Sequence, residues 1–194
     1  MVFILDASTL VGSDNFDKEK AFVKLLARSL NVSPGKSRAA LITYSTNPST
    51  VMQLGDYSTV QDFDRILDAI QFYGGDRRID RALVEAVGLF KKARPDVDRK
   101  VILLTSGRQT PGDDEEPLDK VKKMLLDVGA LPFIVAIGTD HDIPTLTAAV
   151  EDPKDIFKVQ SFEVLLPQVS SIATVVANRT SEYMYLIGVE SLYS

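Results

Sequence analysis

The sequence lacks cysteine altogether and contains a single histidine, His141, among its 194 residues. Without thiolates, a disulfide framework, a zinc–thiolate site, an iron–sulfur cluster and a cysteine nucleophile are all excluded. One imidazole also excludes a metal centre built from several histidines, and we expect this histidine to be a solvated loop residue. No apolar run approaches the roughly 20 residues that a membrane-spanning helix needs, so no membrane span is predicted.

Basic residues are in the minority, with 22 Lys and Arg against 27 Asp and Glu and a formal net charge of −5. Nucleic-acid-binding proteins need a basic footprint, so no nucleic acid is expected as a partner. Neither the Walker pattern nor Gly-x-Gly-x-x-Gly occurs, which argues against a nucleotide, and no cofactor is expected. What remains is the composition of an ordinary globular domain, 45% hydrophobic and 25% charged. The length predicts one to about 1.5 domains.

The first residues of the chain leave its cellular compartment open. A secretory leader has a basic start and a small-residue cleavage site, and neither precedes the strand-like run at 2–5. The chain is therefore expected to be either cytosolic or a mature or excised piece of a longer protein. Asn31 and Asn178 each begin an Asn-x-Ser/Thr sequon. These two glycosylation candidates favour a secreted origin only slightly.

Segments with strand and helix patterns alternate along the chain. Apolar runs predict strands over 2–6, 38–45, 50–54, 100–105, 131–137 and 155–159. Helical periodicity and capping residues predict helices over 14–30, 59–71, 78–93, 118–128, 143–150 and 162–177. Because several strands are apolar on both faces, the expected fold is an α/β three-layer sandwich with a doubly wound, mostly parallel sheet and one antiparallel edge strand. One domain is expected over 1–178, and the tail 179–194 is either a linker or an added edge strand.

Polar loops follow the predicted strands, and ligands of such sheets bind beyond the carboxyl ends of the strands. The first loop reads Asp-Ala-Ser-Thr-Leu at 6–10, and Asn-Phe opens the next helix. The second has Tyr-Gly-Gly at 73–75 before Ala-Leu at 82–83, and a later strand reads Val-Ile-Leu-Leu-Thr-Ser-Gly at 101–107. In order and spacing, these segments and the strand at 132–138 resemble the von Willebrand factor A (VWA) family. That family has Asp-x-Ser-x-Ser in the first loop and Thr-Asp-Gly after the later strand.

The resemblance implies a metal-ion-dependent adhesion site, in which oxygen ligands hold Mg²⁺ and one open position takes a carboxylate from the partner. The family's five ligand positions correspond to Asp6, Ser8, Leu10, Arg77 and Ser106. The first two keep the family's residues, whereas the other three replace Ser, Thr and Asp. Two unit charges about 4 Å apart at a dielectric of about 20 interact by roughly 4 kcal/mol, so Arg77 would repel a cation. We therefore predict a degenerate site that holds no metal.

A side-chain cation is expected to replace the ion. We predict that Arg77 or Arg78 fills the cavity and pairs with Asp6. One alternative stays open, because a one-residue gap in the second loop would place Asp76 at the ligand position and restore metal binding.

Within the family, the chain looks most like the extracellular-matrix type found in collagen VI, matrilins and invertebrate matrix proteins. This resemblance implies a secreted, non-enzymatic adhesion module, a fragment of a larger glycoprotein. Its partners would be collagen, another matrix protein or a neighbouring VWA domain, bound without a metal ion. Arg77, Arg78 and Asp113 are the partner-binding candidates. The alternatives are an intracellular VWA or Rossmann-like enzyme subunit or scaffold, and a structural spacer in a multi-domain array.

Overall fold

The computed structural model describes residues 1–94 and 97–180, so the predicted strand or linker at 181–194 lies outside the described residues. The strands of the described part are β1 (Val2–Asp6), β2 (Ala40–Tyr44), β3 (Pro48–Met52), β4 (Arg99–Thr105), β5 (Ala130–Ile137) and β6 (Ile156–Val159). Its α-helices are α1 (Ser13–Ser29), α2 (Val60–Ala69), α3 (Ile79–Phe90), α4 (Leu118–Asp127), α5 (Ile143–Thr147) and α6 (Val169–Asn178). No helix in this part of the chain has both the length and the hydropathy that crossing a bilayer requires.

The strands form one sheet in the order β3-β2-β1-β4-β5-β6. Neighbouring strands are parallel except β2 and β3, which form an antiparallel hairpin at one edge. The order of the strands along the chain reverses between β1 and β4, which is the point where open α/β sheets bind their ligands. The predicted fold class is therefore confirmed.

Hydrophobic layers cover both faces of the sheet. Phe3 and Leu5 of β1 pack in the layer formed with α1, α2 and α6, whereas Val2 and Ile4 pack in the layer formed with α3, α4 and α5. This alternation follows from the two-residue period of a strand. All residues of β1 and β5 are buried, as expected for strands that helices cover on both sides. The two layers bury the central strands on both faces. The candidate site lies at the carboxyl ends of these strands.

Proline changes where two of the predicted elements begin. The helix expected over 162–177 is an α-helix only from Val169, and two 3-10 turns precede it. Pro167 lacks a backbone N–H and its ring clashes with the carbonyl four residues earlier, which prevents a continuous α-helix. The strand expected from residue 50 already begins at Pro48, because an edge strand can start with a residue that donates no hydrogen bond.

Candidate functional site

Three loops meet beyond the carboxyl ends of β1 and β4. Thr9 in the first loop and Gly75 in the second are joined twice, by the Thr9 N–H to the Gly75 carbonyl at 2.9 Å and by the Gly75 N–H to the Thr9 hydroxyl at 2.8 Å. Arg77 and Thr110 join the second loop to the third, through a backbone bond of 2.8 Å and a bond from the Arg77 N–H to the Thr110 hydroxyl at 3.0 Å. These contacts fix the three loops around the end of β1.

Asp6, the last residue of β1, is fully buried, and both of its carboxylate oxygens accept hydrogen bonds. Oδ1 accepts the backbone N–H of Ser8 at 3.0 Å. Oδ2 accepts Nε of Arg77 at 2.7 Å, the backbone N–H of Ser106 at 3.1 Å and the Ser106 hydroxyl at 3.2 Å. Donors from all three loops therefore surround this carboxylate.

The guanidinium of Arg77 fills the space between the loops, and the residue as a whole is only 4% exposed. Besides its contact with Asp6, Nη2 donates to the Ser106 hydroxyl at 2.7 Å and Nη1 donates to the Arg108 carbonyl at 3.2 Å. Burial by itself lowers the pKa of Arg77, but the Asp6 carboxylate opposes burial, and the net pKa lies above its ordinary value. Arg77 is therefore a permanent cation beside Asp6.

A glycine in the third loop leaves room for this guanidinium. A Cβ added at Gly107 would lie 2.6 Å from Nη1 of Arg77 and 3.2 Å from the carbonyl oxygen of Asp140. A side chain at position 107 would therefore push Arg77 out of its place. The close approach of the two loops depends on the missing Cβ.

The residues at this edge do not fit a divalent cation. Mg²⁺ needs oxygen ligands in near-octahedral geometry, but Oδ2 of Asp6 already accepts three donors, one of them the Arg77 guanidinium. Leu10 offers no ligand atom, and its side chain is 79% exposed. Arg77 contacts Asp6, whereas Asp76 is exposed, and a metal site restored through Asp76 stays a prediction.

The other polar side chains near Asp6 also do not make a metal site. The Ser8 hydroxyl is buried without a hydrogen-bond partner among the described residues, so it is the family ligand that retains an unused oxygen. A single free hydroxyl does not make a site for a hard cation. In the part of the chain that the structure describes, no group of three or more His, Asp or Glu side chains is arranged to hold a metal.

Arg78 is also buried, and its partners are two acids. It donates to the two carboxylate oxygens of Asp80 at 3.0 and 2.8 Å and to Oδ1 of Asp114 at 2.8 Å. Arg81 binds the other oxygen of Asp114. The hydrogen bonds from Arg78 and Arg81 lower the pKa of Asp114 to about 2. This network ties the acidic loop before α4 to the start of α3.

The structure buries the partner-binding candidates Arg77 and Arg78, so they do not present a basic surface to a partner. Their side chains are buried, with residue exposures of 4% and 5%, and carboxylates of the same chain already bind them. Asp113 is exposed beside this network and stays a predicted partner contact. Asn31 and Asn178 are exposed as well, so both sequons stay glycosylation candidates.

A charged residue that the sequence interpretation missed lies under the site. Glu19 of α1 is fully buried, and its Oε2 accepts the backbone N–H of Asp6 at 2.8 Å. Burial, and after it the Asp6 carboxylate, raise the pKa of Glu19 well above its ordinary value. The signal was present in the sequence, because Glu19 interrupts the apolar face of α1 that Phe16, Val23 and Leu26 form. A buried carboxylate on such a face needs a partner.

His141 is partly buried, whereas a solvated residue was expected. Burial lowers the pKa of His141, and the charge of Arg77 lowers it further. The imidazole is therefore mostly neutral at pH 7. It belongs to the loop after β5, whose Asp140 lies against Gly107 of the third loop.

A doubly wound sheet with its polar site at the carboxyl edge is the architecture of Rossmann-like α/β domains. Within that class, the model of the von Willebrand factor type A domain matches residues 1–171, and the chain belongs to this family. The family that the loop motifs predicted is confirmed.

The chain is similar to several proteins of the extracellular matrix. It is 29% identical to cuticlin-6 of Caenorhabditis elegans over 167 residues and 30% identical to matrilin-4 of Homo sapiens over 176 residues. Each match covers 85% of this chain, but the chain spans only 28% and 27% of the length of these two relatives. Collagen chains of Xenopus laevis and Mus musculus are further relatives. The predicted matrix type of the family is therefore confirmed.

Solved structures show the same fold. Proximal thread matrix protein 1 from the mussel byssus matches with a TM-score of 0.84 at 19% identity, over 91% of this chain and 47% of that one. A further structure of the mussel protein, described as having a zinc-occupied metal-ion-dependent adhesion site, matches with a TM-score of 0.78 at 21% identity. At this level of identity, the likeness concerns the fold alone.

Proposed function

We propose that the chain is a non-enzymatic protein-interaction domain of a secreted extracellular matrix protein, and that it binds its partner without a divalent ion. Membership of the VWA family and the matrix relatives support the class of function. The observation that carries metal independence is the buried contact between Nε of Arg77 and Oδ2 of Asp6, which are 2.7 Å apart.

The energy of this buried pair favours the arginine over an ion. Removing one partner of a buried ion pair costs about 3–5 kcal/mol, because the other charge is left unpaired. A cation bound with a Kd of about 1 mM gains about 4 kcal/mol. Displacing Arg77 would therefore consume the whole gain, and millimolar Mg²⁺ leaves the pair of Arg77 and Asp6 in place.

The same cluster is suited to binding rather than to turnover. A serine nucleophile needs an adjacent general base. Among the described residues, nothing donates to or accepts from the Ser8 hydroxyl, and the charges of Asp6 and Arg77 already satisfy each other. We therefore assign the residues of this edge to scaffold and recognition, with no catalytic step.

The partner surface that we propose is the exposed rim of the same edge, formed by Leu10 and Tyr73. These side chains are 79% and 50% exposed, and the hydrogen bonds between Thr9 and Gly75 hold their two loops together. Protein interfaces bury such apolar groups, and tyrosine is enriched in them. The candidate partners are collagen, another matrix protein or a neighbouring VWA domain.

Surface plasmon resonance with immobilised collagens, matrix proteins and VWA domains tests metal independence. Binding is measured in EDTA and then in millimolar Mg²⁺, Mn²⁺ or Zn²⁺. We expect the same affinity in all four solutions, because Arg77 holds Asp6 in each. A loss of binding in EDTA that Mg²⁺ restores would overturn the proposal.

A matched pair of leucine variants tests the rim. Leu10→Ala removes an apolar side chain from the rim, and Leu25→Ala makes the same change on α1, where Leu25 is 40% exposed. We expect Leu10→Ala to weaken partner binding about tenfold, a loss of about 1.4 kcal/mol, while Leu25→Ala leaves it unchanged. Equal effects of the two variants would reject the rim as the interface.

A further inference from the structure

We propose that the opposite edge of the sheet carries a second binding site, for a sulfated polysaccharide. The site itself is argued from the structure, and the choice of ligand rests on the matrix setting of the proposed function. The features that carry it are a cavity, a cluster of cations in its walls and a sequon whose asparagine lines it.

A cavity of about 490 Å³ opens at the amino ends of β1 and β4. Its walls are the last turn of α1 at 29–31, the turn at 36–38, the residues after α3 at 92–94 and the start of β4. Pockets of this size hold ligands of low molecular mass, so this one can take a segment of a longer carbohydrate chain. It lies at the other end of β1 from Asp6 and shares no residue with the site at the carboxyl edge.

The walls of this cavity are basic, although the chain as a whole has a net charge of −5. Six of its lining residues are cations, namely Lys36, Arg38, Lys92, Arg94, Arg99 and Lys100. The acid among the described lining residues is Asp98, and Lys100 already neutralises it at 2.7 Å. A concave surface of one charge concentrates the field and attracts ligands of the opposite charge.

Three of these cations are available to a ligand. Lys36, Arg38 and Lys92 are exposed, and no carboxylate of residues 1–94 and 97–180 lies within 4.0 Å of their charged nitrogens. Exposed lysines such as Lys123 and Lys158 occur elsewhere, but they do not line this cavity. What distinguishes this site is that several cations with no carboxylate partner among the described residues line the same concave space.

A sulfated polysaccharide fits this arrangement better than an isolated anion. Its sulfate groups repeat along the chain, so that one ligand reaches Lys36, Arg38 and Lys92 together. Lys and Arg bind such oxyanions by charge-assisted hydrogen bonds. Leu54, which is partly exposed, also lines the cavity and offers apolar contact to the carbon face of a sugar ring.

Asn31, the first residue of a sequon, is exposed and lines the same cavity. A glycan attached to Asn31 would cover the opening and compete with a second carbohydrate for the space. Chain produced with a glycan at Asn31 is therefore expected to bind the ligand more weakly than the Asn31→Gln variant produced in the same cells. A glycosylated chain that binds as tightly as this variant would contradict the placement of the site.

Heparin is the probe for the test, with binding measured by surface plasmon resonance on the 194-residue chain. We expect affinity to fall steeply between about 50 and about 200 mM NaCl, as for other polyanion sites. The variant Lys36→Ala/Arg38→Ala/Lys92→Ala should lose about tenfold in affinity or more. The control Lys123→Ala/Lys154→Ala/Lys158→Ala changes the net charge equally at exposed positions outside the cavity and should bind as the wild type does. Equal losses in the two variants, or no loss in the first, would overturn the site.

Two further ligands identify the chemistry of the anion. Desulfated heparin and polyglutamate should both bind at least about tenfold more weakly than heparin, since they lack the sulfate groups. Polyglutamate that binds as tightly as heparin would overturn the carbohydrate assignment in favour of an acidic peptide. Thermal unfolding of each variant shows whether it is folded before binding is compared.

The same variants separate this site from the proposed function. Loss of heparin binding with intact protein binding at the Leu10 rim is the result expected for the cavity variant. A wild-type chain that binds its protein partner but not heparin would overturn only the present inference. A wild-type chain that binds heparin but none of the matrix proteins would overturn the proposed function and leave the cavity site standing.

Discussion

Arg77 lies beside Asp6, and in the proposed account it takes the place of the metal ion that the family resemblance implies. Its planar guanidinium directs Nε to Asp6 and Nη2 to Ser106, whereas an ion offers a point charge without direction. An ion also exchanges with solvent, but a side chain does not leave. On the proposed account, the site does not depend on the metal content of its surroundings.

The first prediction at the scale of residues concerns Arg77 itself. The variant Arg77→Met keeps most of the side-chain length but leaves Asp6 buried without its cation, so we expect a loss of about 3–5 kcal/mol in the free energy of unfolding. Arg108→Met is the matched control, because Arg108 is exposed and its contact with Asp140 is a surface pair worth about 1 kcal/mol or less. Urea denaturation measures both. Equal losses in the free energy of unfolding would show that the buried pair stabilises the fold no more than the surface pair does.

Glu19 gives the second prediction, which concerns pH. Because the pKa of Glu19 is raised in the folded chain, the folded state holds this proton above pH 4.5, where the unfolded state releases it. Stability from this group is complete below pH 4.5 and declines as pH rises through the folded-state pKa. Glu19→Gln should therefore flatten the decline and be more stable than the wild type near pH 8, measured by urea denaturation across the pH range.

Glu151→Gln is the control for this prediction, since Glu151 is exposed. It should leave the pH profile of the wild type unchanged. A Glu19→Gln profile that declines as steeply as that of the wild type would mean that Glu19 does not hold a proton in the fold.

The parts of the site that the sequence predicts are those that follow from position in a motif. Asp6 and Ser106 each follow a strand, and parallel strands bring their ends together. The choice between Arg77 and Arg78 does not follow, because neighbouring loop residues point in different directions and the space beside Gly107 decides which one enters. Glu19 was visible as a charge on an apolar helix face, but its partner, a backbone N–H of β1, is visible only in three dimensions.

At the scale of elements, the acidic loop before α4 depends on the network of Arg78, Arg81 and Asp114. Residues 113–115 of this loop are exposed, and the ion pairs of Asp114 join it to Arg78 and Arg81 at the start of α3. Asp114→Asn should loosen the loop, with faster amide hydrogen exchange over 106–117. Asp113→Asn removes the neighbouring exposed carboxylate and should leave the exchange unchanged. Similar exchange in the two variants would show that the network does not order the loop.

Acid should loosen the same loop. The pKa of Asp114 lies at about 2 in the folded chain, below its ordinary value of 3.8. The contribution of this carboxylate is therefore present above pH 3.8 and is lost as pH falls through about 2. This is the opposite direction to that of Glu19, so titration distinguishes the two groups.

Most elements of the fold could be predicted because their pattern is strong. The run Val101 to Thr105 is apolar on both faces, which in a chain of this length fits a covered strand of a parallel sheet. The segment before α6 was predicted less well. Its apolar residues have helical spacing, but Pro167 has no backbone N–H to donate to the carbonyl four residues earlier, so no α-helix forms there. In this segment the apolar periodicity predicts a helix, but the α-helix begins only after Pro167.

At the scale of the whole molecule, the two edges of the sheet differ in chemistry. The carboxyl edge has an apolar rim over a closed ion pair, and the amino edge has a basic cavity. The five residues of β1 span about 17 Å and separate the two edges. A matrix protein with such a domain could hold a protein partner at one edge and a polyanion at the other.

The response of the whole molecule to metal gives a further prediction. A ligand present at about 100 times its Kd stabilises a fold by about 2.7 kcal/mol, which corresponds to a rise of several degrees in Tm for a chain of this size. We predict no rise in Tm for the wild type in millimolar Mg²⁺. The variant Leu10→Ser/Arg77→Thr/Ser106→Asp restores the family's ligand residues and should gain a rise that EDTA reverses. A reversible rise in the wild type would show that its site takes the ion.

The most direct measurement is an anomalous-scattering map from crystals of the chain soaked in millimolar Mn²⁺. We predict electron density for the Arg77 guanidinium beside Asp6 and no anomalous peak between Asp6 and Ser8. An anomalous peak coordinated by these two residues, with Arg77 displaced, would contradict the claim that an arginine has replaced the ion.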